Sequence, residues 1–149
     1  MCFKEKRCDS TSSIFGQDSD RVEIEFTRLS LLQVCKARIV AKSVICSALT
    51  KAAMFGADAN WGRVLCAIGY SGADVDVDKI DVTFASKAGE IKVCENGAGI
   101  DFSEEKAKEI LLCDEIEILV DLGMGDVKST AWGCDLTYEY VKINGDYRT

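Results

Sequence analysis

Two segments of the chain concentrate side chains that can do chemistry. Asp58-Ala59-Asn60-Trp61-Gly62-Arg63 sets a carboxylate, a carboxamide, an indole and a guanidinium around one glycine. A glycine at the start of a helix lets another backbone approach closely, and the unpaired amides of that end attract anions. The same residues also describe a capped helix with a packed tryptophan, and on residue types alone the two readings stand level. The closing stretch Asp135-Leu136-Thr137-Tyr138-Glu139-Tyr140-Val141-Lys142-Ile143-Asn144-Gly145-Asp146-Tyr147-Arg148-Thr149 gathers three tyrosines, an asparagine, an arginine and the free carboxylate. Such groups can hold a zwitterionic small molecule through hydrogen bonds and charge. An edge strand with solvated polar residues accounts for them slightly more simply.

Other candidates fail on spacing. Asp74-Val75-Asp76-Val77-Asp78 opens like a calcium loop, but Lys79 stands where the sharp turn needs glycine and Ala85 where the bidentate carboxylate belongs. Gly123-Met124-Gly125 resembles part of a dinucleotide fingerprint, yet it lies between two strand-like segments and opens no helix. The chain has no histidine, which removes Ser-His, Cys-His and His-metal chemistry, and no proline. Its eight cysteines form no Cys-x-x-Cys pair, so they are expected to be reduced, buried and structural, and no metal site is expected. Catalysis would have to use Thr, Ser, Cys, Lys, carboxylates or backbone amides.

The elements that position these residues can be read from periodicity. At 149 residues and 48% hydrophobic, the chain suits one soluble domain. Residues 1–20 are polar and without sustained period, and are expected to be a disordered leader before a domain at 21–149. Val22-Glu23-Ile24-Glu25-Phe26 alternates as a half-buried strand. From Leu31 to about Thr50 apolar residues recur at three and four, which predicts one long amphipathic helix with Gly56 as a stop. Ala57-Asp58-Ala59-Asn60 offers cap residues for a second helix with Trp61, Val64, Leu65 and Ile68 on its inner face. Ile80–Phe84 and Ile91–Cys94 alternate around Lys87-Ala88-Gly89, a hairpin. Ser103 can cap a helix whose first turn carries Glu104 and Glu105. Residues 115–122 alternate again, and residues 129–143 are predicted as a long final strand. The order β-α-α-β-β-α-β-β describes an α+β domain with a mixed or antiparallel sheet and helices on one face. The net charge of −7 is concentrated after residue 63 and disfavours nucleic acid and anionic membranes as partners. No apolar run is long enough to span a bilayer and no export signal is apparent, so the expected compartment is the cytoplasm.

Thr50-Lys51-Ala52-Ala53-Met54-Phe55-Gly56-Ala57-Asp58-Ala59-Asn60-Trp61-Gly62-Arg63 and the closing stretch from Cys134 to Thr149 closely resemble the C-terminal part of the ornithine acetyltransferase (glutamate N-acetyltransferase) family of arginine biosynthesis. The resemblance is clear from about Ile39 to the end and faint from Val22. It implies a self-processing, two-chain enzyme whose precursor cuts itself at an Ala-Thr bond. The new N-terminal threonine would take acetyl from N-acetylornithine and pass it to glutamate. Acetyl-CoA serves some members as an acetyl donor, and no bound cofactor is implied. A threonine whose own amine is the base needs no histidine. The resemblance assigns substrate contacts to Asn144 and Thr149. It marks Asn60, Trp61, Gly62 and Arg63 as a signature near the site, without individual roles.

Departures from the family pattern are equally specific. None of the seven threonines follows an alanine, so the cleavage point and nucleophile are missing. The family's G-E-G-A-T-K motif, with a substrate-contacting glutamate, should precede Val22, where the chain reads Phe15-Gly16-Gln17-Asp18-Ser19-Asp20. The expectation is a C-terminal fragment of the second (beta) chain, inactive alone, supplying one wall of a substrate site to a complementary alpha chain in a hetero-oligomer. The alternative is a stand-alone, non-catalytic domain that binds amino-acid-like ligands or a partner chain.

Overall fold

A computed structural model describes residues 31–125 and 127–146. The leader at 1–20, the strand predicted at 22–26 and Thr149 lie outside the described residues.

Helix α1 (Leu31–Cys46) buries the stripe Ala37, Val40, Ala41, Val44 and Ile45. The single long helix expected here is two helices. Ser47 leaves helical geometry (φ −67°, ψ 114°), and its hydroxyl accepts the Thr50 amide at 3.3 Å, which starts α2 (Ala48–Phe55). The apolar period runs on through the break because Ser47 is itself buried, its Oγ lying 3.2 Å from the Tyr70 hydroxyl. An N-cap that satisfies an orphan amide at such a position is worth about 1 kcal/mol. Gly56 ends α2, and Asn60 caps α3 (Trp61–Gly69), which buries Val64, Ala67 and Ile68. The three helices pack on one another, and the Ser43 hydroxyl ties α1 to α3 by donating to the Ala67 carbonyl at 2.6 Å.

A short 3-10 turn (Val77–Lys79) leads into the sheet. Strands β1 (Asp81–Ser86) and β2 (Gly89–Glu95) form the expected hairpin, with Phe84 opposite Ile91 and a bulge between Val82 and Thr83. A two-residue strand β3 (Ala98–Gly99) extends it, and β4 (Glu117–Asp121) pairs with the other edge of β1. The order is β3-β2-β1-β4 and every pairing is antiparallel. Val82 and Phe84 of β1, Ile91 and Val93 of β2, and Ile118 and Val120 of β4 are buried. That alternation turns one face inward, and α4 (Glu104–Leu111) packs over β1 and β2. Ser103 caps α4 as expected, by accepting from the Lys106 amide, and Ala107, Ile110 and Leu111 are its buried side chains. The helices and the sheet share one hydrophobic core. This is the α+β architecture read from the sequence, and of the mixed or antiparallel sheet expected it takes the antiparallel form.

The end of the chain differs from the predicted final strand. Residues 127–137 carry no regular structure, and Tyr138–Asp146 form helix α5. Thr137 starts it: its hydroxyl accepts the Tyr140 amide at 3.0 Å and its carbonyl the Val141 amide at 3.3 Å. Glu139 stands in the first turn, the favoured sign for that end. A strand here would need a sheet to receive it, but no residue of α5 is buried.

The cysteines also correct an expectation. Of the six described, all are free; only Cys94 is buried, Cys113 is half-buried, and Cys35, Cys46, Cys66 and Cys134 are exposed. Cys35 and Cys46 fall on the side of α1 opposite its buried stripe, where a helix's 3.6-residue period puts them. Burial, and secondarily the Asp81 carboxylate, raises the Cys94 thiol pKa above its ordinary value. Alkylation of the native protein followed by peptide mapping should therefore label Cys35, Cys46, Cys66 and Cys134 and spare Cys94 until denaturant is added. Labelling of native Cys94 at the rate of Cys66 would contradict the packing of β2.

Candidate functional site

The Asn60-Trp61-Gly62-Arg63 motif is the first turn of α3, and its polar atoms are largely spent on structure. Asn60 Oδ1 accepts the Arg63 amide at 3.2 Å, and Asn60 Nδ2 donates to Asp58 Oδ2 at 3.0 Å. The Arg63 guanidinium donates to the Leu49 carbonyl at 3.0 Å, crossing from α3 to α2. Thr50 reaches back, its hydroxyl donating to the Arg63 carbonyl at 3.5 Å. Trp61 is half-buried against the core, and a Cβ built on Gly99 would run into its indole ring. Gly99 therefore lets the tryptophan lie directly on the backbone of β3. A Cβ built on Gly62 would meet only Asn60 Oδ1, at 3.6 Å, so its exposed backbone is the approachable part of the motif. The Asp58 carboxylate already stands by the helix start, the position an anionic ligand would otherwise favour.

The tail motif lies on the other side of α2. Leu136 donates its amide to the Lys51 carbonyl at 3.3 Å. The Tyr138 ring meets Phe55 edge-on, with centroids 5.1 Å apart, and the Lys51 ammonium lies 5.8 Å from the centre of the Tyr140 ring. Asn144 is exposed on α5, and its Nδ2 donates to the Tyr140 carbonyl at 2.8 Å. Helix α2 thus has the Asn60–Arg63 turn docked on it through Leu49 and Thr50, and the tail docked through Lys51 and Phe55. Of the six residues singled out from the sequence, Asn60, Trp61, Gly62 and Arg63 form one turn, and Asn144 stands on a separate helix. The placement of Thr149 lies outside the described residues.

The rejected candidates have structural partners too. Asp76 caps the 3-10 turn and pairs with Lys79 at 2.8 Å, while Asp74 pairs with Lys36 at 3.0 Å. The Lys79 hydrogen bond holds the Asp76 carboxyl below its ordinary pKa. Gly123 and Gly125 take positive φ (60° and 133°) in the loop after β4, as a tight loop requires. Among the described residues no group of three or more Cys, Asp or Glu side chains could hold a metal ion, and no helix is long and apolar enough to cross a membrane.

An α+β domain whose capped signature turn and aromatic tail dock on one short helix is what the fold and these residues define. The chain belongs to the ArgJ family, whose model matches residues 22–149. It is 58% identical over 113 residues to the arginine biosynthesis bifunctional protein ArgJ of Caldanaerobacter subterraneus subsp. tengcongensis, covering 76% of this chain and 28% of that protein. The glutamate N-acetyltransferase of Methanopyrus kandleri is 53% identical over 114 residues, covering 76% of this chain and 29% of the relative. The crystal structure of the arginine biosynthesis bifunctional protein argJ from Bacillus halodurans superposes with a TM-score of 0.75 at 42% identity, covering 87% of this chain and 59% of that one. The chain spans less than a third of the length of these curated relatives.

Proposed function

We propose that this chain is part of a cytoplasmic glutamate N-acetyltransferase of arginine biosynthesis, and that it forms one wall of the substrate site. The observation that carries the proposal is the family match, which runs through the terminal motif Asn144-Gly145-Asp146-Tyr147-Arg148-Thr149. In the proposed reaction a threonine on a complementary polypeptide attacks the acetyl carbonyl of N-acetylornithine. Ornithine leaves with its α-amine, and the resulting acetyl ester is then attacked by the amine of glutamate. Acetyl-CoA is a further acetyl donor compatible with the same ester. This chain contributes no nucleophile, because none of its threonines follows an alanine. A two-chain enzyme made by self-cleavage is compatible with length: the solved relative's chain, 59% of which is matched, is shorter than the curated relative, 28% of which is matched.

Asn144 and Thr149 are assigned to substrate contact. A carboxamide offers a donor and an acceptor, and losing one such contact in a closed site costs about 1–3 kcal/mol, roughly tenfold to a hundredfold in kcat/KM. In enzyme restored by a complementary polypeptide, Asn144→Ala and removal of Thr149 should each lower kcat/KM for N-acetylornithine by that factor. The thermal midpoint should hardly move, since α5 buries no residue. Unchanged kinetics in both variants would overturn the assignment.

A further inference from the structure

Lys51 is a half-buried cation of α2 that faces the tail helix and forms no ion pair among the described residues. Resting on the acetyl-transfer proposal, we infer that Lys51 binds the α-carboxylate common to both amino-acid substrates, while the Asn144 carboxamide receives a substrate N–H. Tyr140 contacts both side chains. Its ring lies under the Lys51 ammonium at 5.8 Å, and its carbonyl holds Asn144 Nδ2 at 2.8 Å. A ring face attracts the ammonium without consuming its protons, so all three remain for a carboxylate. Asn144 Oδ1 accepts from no donor among the described residues and is open to an N–H. The backbone of Lys51 is pinned by the Leu136 amide at 3.3 Å, which fixes the root of its side chain against the tail.

Neighbouring cations are already occupied. Arg63 spends its guanidinium on the Leu49 carbonyl at 3.0 Å, and Lys142 pairs with Glu139 at 4.0 Å. The chemistry supplies the need for a free one. N-acetylornithine and glutamate differ in side chain and acylation but share an α-carboxylate, and a relay through one site must hold that shared group in both half-reactions. Partial burial removes some competing water and strengthens a charge-assisted hydrogen bond.

The test uses the complemented enzyme with N-acetylornithine and with N-acetylputrescine, the same donor lacking its carboxylate. Where turnover of the analogue is too slow to follow, its inhibition constant serves. Lys51→Met keeps the apolar stem over Tyr140 and removes the charge. It should lower kcat/KM for N-acetylornithine about 10- to 100-fold, mainly through KM, and raise KM for glutamate. Constants for N-acetylputrescine should not change, and Lys51→Arg should recover much of the loss. No loss with N-acetylornithine, or an equal loss with both donors, would overturn the assignment, the second by showing a merely structural role. A wild-type enzyme inactive on N-acetylornithine would instead overturn the acetyl-transfer proposal, and this assignment with it.

Discussion

Purified alone, the chain is expected to release no ornithine from N-acetylornithine in the presence of glutamate. Covalent acyl transfer needs an attacking group, and the family's threonine after an alanine is absent from the sequence. Loss of the nucleophile from a covalent mechanism costs on the order of 10⁶ in kcat. A polypeptide carrying the Ala-Thr cleavage site should restore turnover to roughly 1–1000 per second. Amine release and N-acetylglutamate formation measure the two halves of the reaction. Turnover in that range by the isolated chain would mean that one of its own residues carries the acetyl group.

Gly97→Ala should be the most damaging single-methyl change in the described fold. Gly97 follows β2 with φ +73°, and its amide donates to the Ile80 carbonyl at 2.8 Å. A Cβ there would run into the carbonyl oxygen of Val77, which is backbone and cannot swing away. The turn after β2 and the 3-10 turn before β1 would have to separate. Positive-φ strain and overpacking together give a loss of about 2–5 kcal/mol. Gly72 provides the control: its φ is +80°, but nothing lies within 4 Å of its Cβ position, so Gly72→Ala carries strain alone. Urea unfolding of the two variants should put Gly97→Ala well below Gly72→Ala in midpoint. Equal midpoints would refute the close approach of the two turns.

Legibility in the sequence followed the range of the interaction. The β1–β2 hairpin was readable because alternation at Ile80–Phe84 and Ile91–Cys94 reports one buried face, and Lys87-Ala88 lies between them. Helix α4 was readable because Ser103 and the two glutamates act within one turn. The break at Ser47 was not, because the serine is held by Tyr70, and nothing in the local period marks that partner. Cysteine burial does not follow from hydrophobic character alone: Cys35 and Cys46 are exposed because the period of α1 sets them opposite its buried stripe. At the tail, no sheet edge receives the strand expected at 129–143, and the Thr137 hydroxyl caps a helix instead. The Asn60–Arg63 turn was legible as a cap with a packed tryptophan, but its receiving surface at Gly99 lies in a distant strand. Lys51 lies within the family-like segment, where its residue type alone marks no role; only the fold brings it over Tyr140.

The central claim is that this chain lines the substrate site while another polypeptide carries the acetyl group. Intact-mass analysis of the complemented enzyme, incubated with N-acetylornithine and no acceptor, tests it most directly. The account predicts one added acetyl group on the complementary polypeptide's N-terminal threonine, none on this chain, and its loss when glutamate is added. An acetyl group carried by this chain, or no acetylated species on either polypeptide, would contradict it.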